Sequence, residues 1–235
     1  MSALRGAVAF TTRLITGARP VVSGHRRESV LGLPRQAVFF ANHSSHLDFL
    51  TIWAVLPAHL RSRLRPVAAA DYWGSGVRGR FATTLFNPYL VDRGKSAARA
   101  PGEEKHGSQL DGMLAVLDAG DSLAIFPEGT RGDGHEIAPF HAGLVRLARQ
   151  RPDVPIVPVA LANLGRILPK GGRIPVPILG TVTFLQPLAL QDGESDDHFL
   201  TRARDALIAA FPDPEAEVHA ELAVGAERPS ESETR

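Results

Sequence analysis

The 235-residue chain predicts an α/β domain: a largely parallel sheet covered by helices, with an amphipathic helix ahead of it. Two observations carry that prediction. Short strand-like apolar runs alternate with longer segments whose apolar residues recur at helical spacing, and such alternation builds a parallel sheet with helices on both faces. The two segments richest in reactive side chains each follow a strand-like run, and in such sheets sites lie beyond the carboxyl ends of the strands. With 44% hydrophobic residues the chain can bury one sizeable core, so residues 21–211 are expected to form a single domain. Residues 1–20 hold the leading helix, and 212–235, rich in Pro, Glu, Ala and Ser, are expected to form a disordered acidic tail.

Taken in order, residues 2–16 place Leu4, Ala7, Val8, Thr11, Leu14 and Ile15 on one helical stripe, with Arg5 and Arg13 off it and Gly17 as the stop. Such a helix either lies in a bilayer interface or packs on the domain. Residues 36–41 are expected as a strand and 46–56 as a mostly buried helix. Strands are expected at 65–70 and 89–92. Residues 106–119 carry Leu110, Met113, Leu114 and Leu117 at helical spacing before Gly120. Strand 123–126, helix 141–150, and strands 155–161 and 182–186 follow. Ser195 caps a last helix reaching Phe211, with Phe199, Ala203, Leu207 and Phe211 on one face.

The first reactive segment is Asn42-His43-Ser44-Ser45-His46-Leu47-Asp48-Phe49, between the first of these strands and its helix. Imidazole suits proton transfer near neutral pH, and a carboxylate five residues on could fix its tautomer and stabilise the imidazolium. Positions i and i+5 do not share a helix face. His43 is therefore expected in the turn and Asp48 in the first helical turn, with Ser44 or Ser45 as N-cap. A histidine beside an N-cap is commonly structural, and His43, His46 and Asp48 are also possible zinc ligands. The spacing differs from H-E-x-x-H, however, and no second cluster with ligand spacing accompanies it, so no metal is expected.

The second segment, Phe126-Pro127-Glu128-Gly129-Thr130-Arg131, follows the strand-like run 122–125. Arg131 offers a planar fork for a phosphate, and Gly129 lets backbone approach a ligand with no Cβ in the way. Alone, this motif is weak; combined with N-H-x-x-x-x-D it is specific.

Together these segments resemble the glycerolipid acyltransferase superfamily, and within it the bacterial 1-acylglycerol-3-phosphate acyltransferases. Two further blocks fit in order: Tyr89-Leu90-Val91-Asp92-Arg93, and the Pro-bearing strand Val154-Pro155-Ile156-Val157-Pro158-Val159. The likeness covers roughly residues 35 to 190. It implies transfer of an acyl chain from acyl-CoA or acyl carrier protein to the free hydroxyl of 1-acylglycerol 3-phosphate, giving phosphatidic acid, without a cofactor or an acyl-enzyme. By the same resemblance His43 and Asp48 are catalytic, and Arg93, Glu128, Gly129, Thr130 and Arg131 bind substrate. Asn42 and Pro158 support them. Glu128 would either order Arg131 or bind the glycerol backbone. Two departures bear on the acceptor head group: Gly132 where the family often has Ser, and His141 where it often has Lys. Alternatives are another lysolipid acceptor, such as a lyso-amino-acid lipid or a lysophospholipid, and a non-catalytic lipid-binding homologue.

Composition narrows the field. The absence of cysteine excludes disulfides, Cys-ligated zinc and a thiol nucleophile, and no G-x-S-x-G elbow supports a serine hydrolase. No leader peptide is evident and no apolar run approaches 18 residues, so a spanning helix is not expected. The net charge of +1 hides an asymmetry: residues 1–100 carry 14 Lys/Arg against 4 Asp/Glu, and 190–235 carry 4 against 12. A basic front half suits an anionic membrane surface, whereas scattered arginines without a recognition motif or stacking surface argue against nucleic acid. The expected place is the cytoplasmic face of the cell membrane, held peripherally.

Overall fold

The computed structural model describes residues 2–23, 30–70, 76–91, 105–132, 136–167 and 179–211. Along these segments run strands β1 (Arg19–Val22), β2 (Val38–Ala41), β3 (Leu64–Ala69), β4 (Tyr89–Val91), β5 (Ser122–Ile125), β6 (Ile156–Ala162) and β7 (Thr181–Phe184). They form one sheet in the order β1-β7-β6-β2-β5-β3-β4. β6, β2, β5, β3 and β4 are mutually parallel, and β7, paired antiparallel to β6, carries β1 parallel beside it. The largely parallel α/β sheet expected from strand–helix alternation is thus the one observed.

The helices are α1 (Ser2–Thr16), α2 (Asp48–Val55), α3 (Ala58–Arg61), α4 (Gly76–Phe86), α5 (Lys105–Asp118), α6 (Gly143–Gln150), α7 (Leu164–Ile167) and α8 (Asp196–Ile208). Strand β2 is buried on both sides and divides the core by alternation. Phe39 and Ala41 join the layer under α1 and α2, with Trp53, Ile52 and Phe184. Val38 and Phe40 join the layer under α5, α6 and α8, with Leu117, Leu144 and Phe199. The last helix follows the sequence closely. Ser195 caps it, its side chain accepting from the His198 N–H, and Phe199, Ala203 and Leu207 are its buried face. It ends at Ile208, three residues short of Phe211, which still packs against the same layer.

The N-terminal helix packs on the domain by small side chains and leaves its apolar stripe open. It seats Ala9, Thr12 and Thr16 against the domain and leaves Leu4, Phe10, Leu14 and Ile15 between 42% and 73% exposed. Small side chains let the helix axis come close to α2, which the large apolar residues would prevent. Arg5, off that stripe, donates from Nε to the Leu85 carbonyl at 3.1 Å. The chain then turns at Gly17 (φ +55°) straight into β1, so the segment from 17 to 22 belongs to the sheet edge.

Candidate active site

β2 and β5 lie side by side in parallel register, with Phe40 opposite Ile125, so the two reactive segments leave the sheet from adjacent strand ends. Backbone bonds then join them: the Gly132 N–H donates to the His43 carbonyl at 2.8 Å. The His43 Nδ1 lies 2.9 Å from Asp48 Oδ2. The same oxygen accepts the backbone N–H groups of Ser44 (2.7 Å) and Ser45 (2.8 Å). Asp48 is fully buried at the start of α2, where the helix dipole favours its negative charge. Oδ1 has no hydrogen-bond partner among the described residues, so the carboxylate concentrates its donors on the oxygen that holds the imidazole. The expected Ser44 or Ser45 cap is corrected. Leu47 occupies the cap position with no side-chain bond, and Asp48 itself takes up the loose N–H groups of the turn.

Behind His43 lies a side chain for which no role is read from the motif. The Phe126 ring stacks on the imidazole, with centroids 4.2 Å apart and planes 23° from parallel. Its place at the carboxyl end of β5 next to β2 brings it there, and nothing in a linear motif marks that neighbour.

Glu128 is buried and does not line the cavity described below. Its Oε1 accepts the His43 N–H at 2.7 Å, and its Oε2 accepts the Ala138 N–H at 3.0 Å. The carboxylate thus ties the β2 turn to the loop after Arg131. Gly129 has φ +71°, and its N–H donates to the Phe126 carbonyl at 3.0 Å, closing a tight turn. That N–H is therefore occupied within the turn. The space left by the missing Cβ is filled by the His141 ring, whose Cδ2 and Nε2 would lie 2.8 Å from such an atom. Thr130 and Arg131 follow at the wall of a cavity of about 600 Å³ that His43, His46 and His141 also line. Arg131 makes no hydrogen bond or ion pair with any described residue, and it also borders a second cleft with Glu136 and Arg204. His46 is held below the usual imidazole pKa, by loss of water first, then by the charges of Arg131 and His43.

Asn42 is a clamp. Its Nδ2 donates to the Leu161 carbonyl at 3.0 Å and its Oδ1 accepts the Leu161 N–H at 2.8 Å, which extends the β2–β6 pairing past the last ladder residue. Pro158 stands within β6 opposite Phe40, beside the point where pairing with β7 begins at Val159, and it takes no part in lining the cavity. Arg93 lies outside the described residues. Further in, the cavity turns apolar through Val67, Val91, Met113, Leu144 and Leu147. The helical spacing of Met113 pointed to packing; in the fold it packs and lines the cavity at once. Among the described residues, no three His, Cys, Asp or Glu side chains are grouped to hold a metal ion.

Comparison with known proteins agrees with this geometry. The profile of the family described as Acyltransferase matches residues 23–162. A protein named 1-acyl-sn-glycerol-3-phosphate acyltransferase from Limnanthes alba is 28% identical over 183 residues, 76% of this chain and 60% of its own length. Its namesake "alpha" from Ovis aries is 28% identical over 180 residues, 74% of this chain and 57% of its own. A Dictyostelium discoideum protein named Taffazin is 28% identical over 153 residues, 63% of this chain and 52% of its own. The chain thus spans little more than half the length of these relatives. A crystal structure of the 1-acyl-sn-glycerophosphate (LPA) acyltransferase PlsC from Thermotoga maritima shares the fold, with a TM-score of 0.64 at 18% identity, covering 88% of this chain and 77% of that one.

Proposed function

The chain belongs to the Acyltransferase family, and from that premise we propose that it transfers an acyl group from a thioester to the free hydroxyl of 1-acylglycerol 3-phosphate. The observation that carries this reading is the His43–Asp48 pair opening into the same cavity as Arg131, a guanidinium with no partner among the described residues. With Asp48 ionised, Nδ1 of His43 carries the proton and Nε2 keeps its lone pair for the acceptor hydroxyl. The hydroxyl oxygen attacks the thioester carbonyl carbon as its proton passes to Nε2. The carbon–sulfur bond then breaks, and the departing thiolate takes that proton from the imidazolium. The ester is formed, the free thiol is released, and His43 returns neutral.

Asp48 orients the ring and stabilises its charged form, Phe126 packs against its face, and Glu128 holds its backbone. Arg131 receives the acceptor's phosphate through paired N–H donors. The apolar depth of the cavity, past Val67 to Met113 and Leu147, suits an alkyl chain. The acceptor is drawn from a membrane, which the exposed Phe10 and Leu14 on α1 and the basic front half would meet. Among the described residues no helix is long and apolar enough to cross one.

The test is purified protein with labelled acyl-CoA, or the same acyl group on acyl carrier protein, and a panel of lysolipid acceptors read by mass spectrometry. The phosphate-monoester acceptor should be preferred over lysophospholipids with a larger head group and over monoacylglycerol. Arg131→Lys should raise the KM for that acceptor about tenfold or more, since an ammonium cannot reproduce a two-pronged contact. The donor KM should barely move. A panel led by an acceptor without a phosphate monoester would overturn the assignment.

A further inference from the structure

His141 is held at the cavity rim by features on either side of it. Phe140 is buried and meets Phe40 edge-on at 6.0 Å, and the His141 N–H donates to the Pro127 carbonyl at 2.9 Å. The imidazole consequently lies on the bare Cα of Gly129, one residue before Thr130 and two before Arg131. It is exposed to solvent and lines the cavity shared by His43, His46 and Arg131. No carboxylate is among the described lining residues. The charged and titratable groups on the surrounding elements are few. The β2–α2 turn brings His43 and His46, with Asp48 buried behind; the 126–132 loop brings Arg131, with Glu128 buried. Arg146 projects from α6, and Glu136 and Arg204 border the adjoining cleft.

We propose that His141 is a second ligand for the acceptor's phosphate, acting beside Arg131, and that its protonation sets how tightly the acceptor is held across neutral pH. This rests on reading the cavity as the site of a lysolipid phosphate monoester. An arginine fork satisfies two phosphate oxygens and leaves a third, and an imidazolium N–H beside it makes a charge-assisted bond that the neutral ring makes less well. The consequence is a split. A charged imidazolium at 141 holds the acceptor's phosphate more tightly than a neutral side chain there, and the difference falls on the acceptor KM and not on kcat.

The experiment measures both constants from about pH 5.5 to 8.5. It compares wild type, His141→Gln and His141→Lys. The phosphate itself titrates near pH 6. The Lys variant, permanently charged, isolates that contribution and also stands in if the Gln variant folds poorly. In His141→Gln the acceptor KM should rise about tenfold at the acid end and only slightly at the alkaline end, the loss of one charged hydrogen bond. kcat and the donor KM should stay within about twofold of wild type on the same scale. In His141→Lys the acceptor KM should be low at the alkaline end as well. Acceptor KM profiles that coincide in all three proteins, with the phosphate acceptor still used, would overturn this inference and leave the acyl-transfer reading standing. Failure of wild type to use a phosphate-monoester acceptor at any pH would overturn both.

Discussion

In the proposed catalytic pair two burial states meet at one hydrogen bond: Asp48 is fully buried, while the His43 side chain keeps 21% of its surface open. His43→Ala should cut kcat by about 100- to 10,000-fold, the range for loss of a general base, and leave the fold intact, since a turn residue contributes little packing. His46→Ala should be far milder. His46 lines the same cavity, but loss of water and the nearby charges of Arg131 and His43 favour its neutral form. Steady-state kinetics of the two variants, with circular dichroism for the fold, separates the roles; equal damage from both would point to a shared metal. Glu128 predicts a different signature. Glu128→Gln keeps one carbonyl oxygen but turns an N–H donor toward either the His43 or the Ala138 N–H, each of which needs an acceptor. A buried donor without an acceptor costs about 1–3 kcal/mol. The loss should fall on kcat and thermal stability, with the acceptor KM little changed, because both carboxylate oxygens are engaged with the backbone of the turn. A rise in acceptor KM alone would restore Glu128 to the binding role.

At the scale of elements, the site depends on one adjacency, β2 beside β5, and on turns short enough to keep both motifs near it. The motifs themselves were legible in the sequence, because a histidine and an arginine after strand-like runs must lie near strand ends. Strand neighbours were not legible, since pairing is set by long-range packing and not by local pattern. This is why Phe126, far from His43 in sequence, was not foreseen as the ring against its face, nor Leu161 as the partner of Asn42. Edge strand β1, Arg-Pro-Val-Val, was missed because four residues with three exposed give no period to read. The face by which α1 packs was not legible for a related reason: periodicity locates apolar residues, and close packing selected the small ones. The Gly129 turn makes a testable element-level case. Gly129→Ala must adopt φ +71° with a Cβ, costing about 1–2 kcal/mol, and must displace the His141 ring. Urea unfolding should show a loss of that size, and the acceptor KM should rise with it. Adding His141→Ala should leave the stability loss nearly unchanged, because an exposed ring can swing away while a backbone angle cannot relax.

For the whole molecule, the decisive asymmetry is between a basic front half bearing an exposed apolar helix face and an acidic C-terminal stretch. α1 is also part of the core, with Ala9, Thr12 and Thr16 buried, so removing it would uncover the domain and confound any binding assay. Surface substitution is the cleaner probe. Phe10 and Leu14 are 70% and 73% exposed, so Phe10→Ser with Leu14→Ser should leave the melting temperature almost unchanged. Burying a large apolar side chain in a bilayer interface is worth about 1.5–3 kcal/mol at full burial, so the double variant should float with anionic vesicles at least tenfold less well. Salt gives the complementary reading. Each Lys or Arg near an anionic surface contributes about 1 kcal/mol, screened beyond roughly 8 Å at physiological ionic strength. Wild-type flotation should therefore weaken with added salt but persist through the apolar face, while the double variant should lose nearly all binding at high salt. Activity on vesicle-embedded acceptor should follow flotation, and activity on detergent-dispersed acceptor should be spared. Identical flotation of wild type and double variant at every salt concentration would mean that α1 only packs on the domain and that the lipid surface is met by another face.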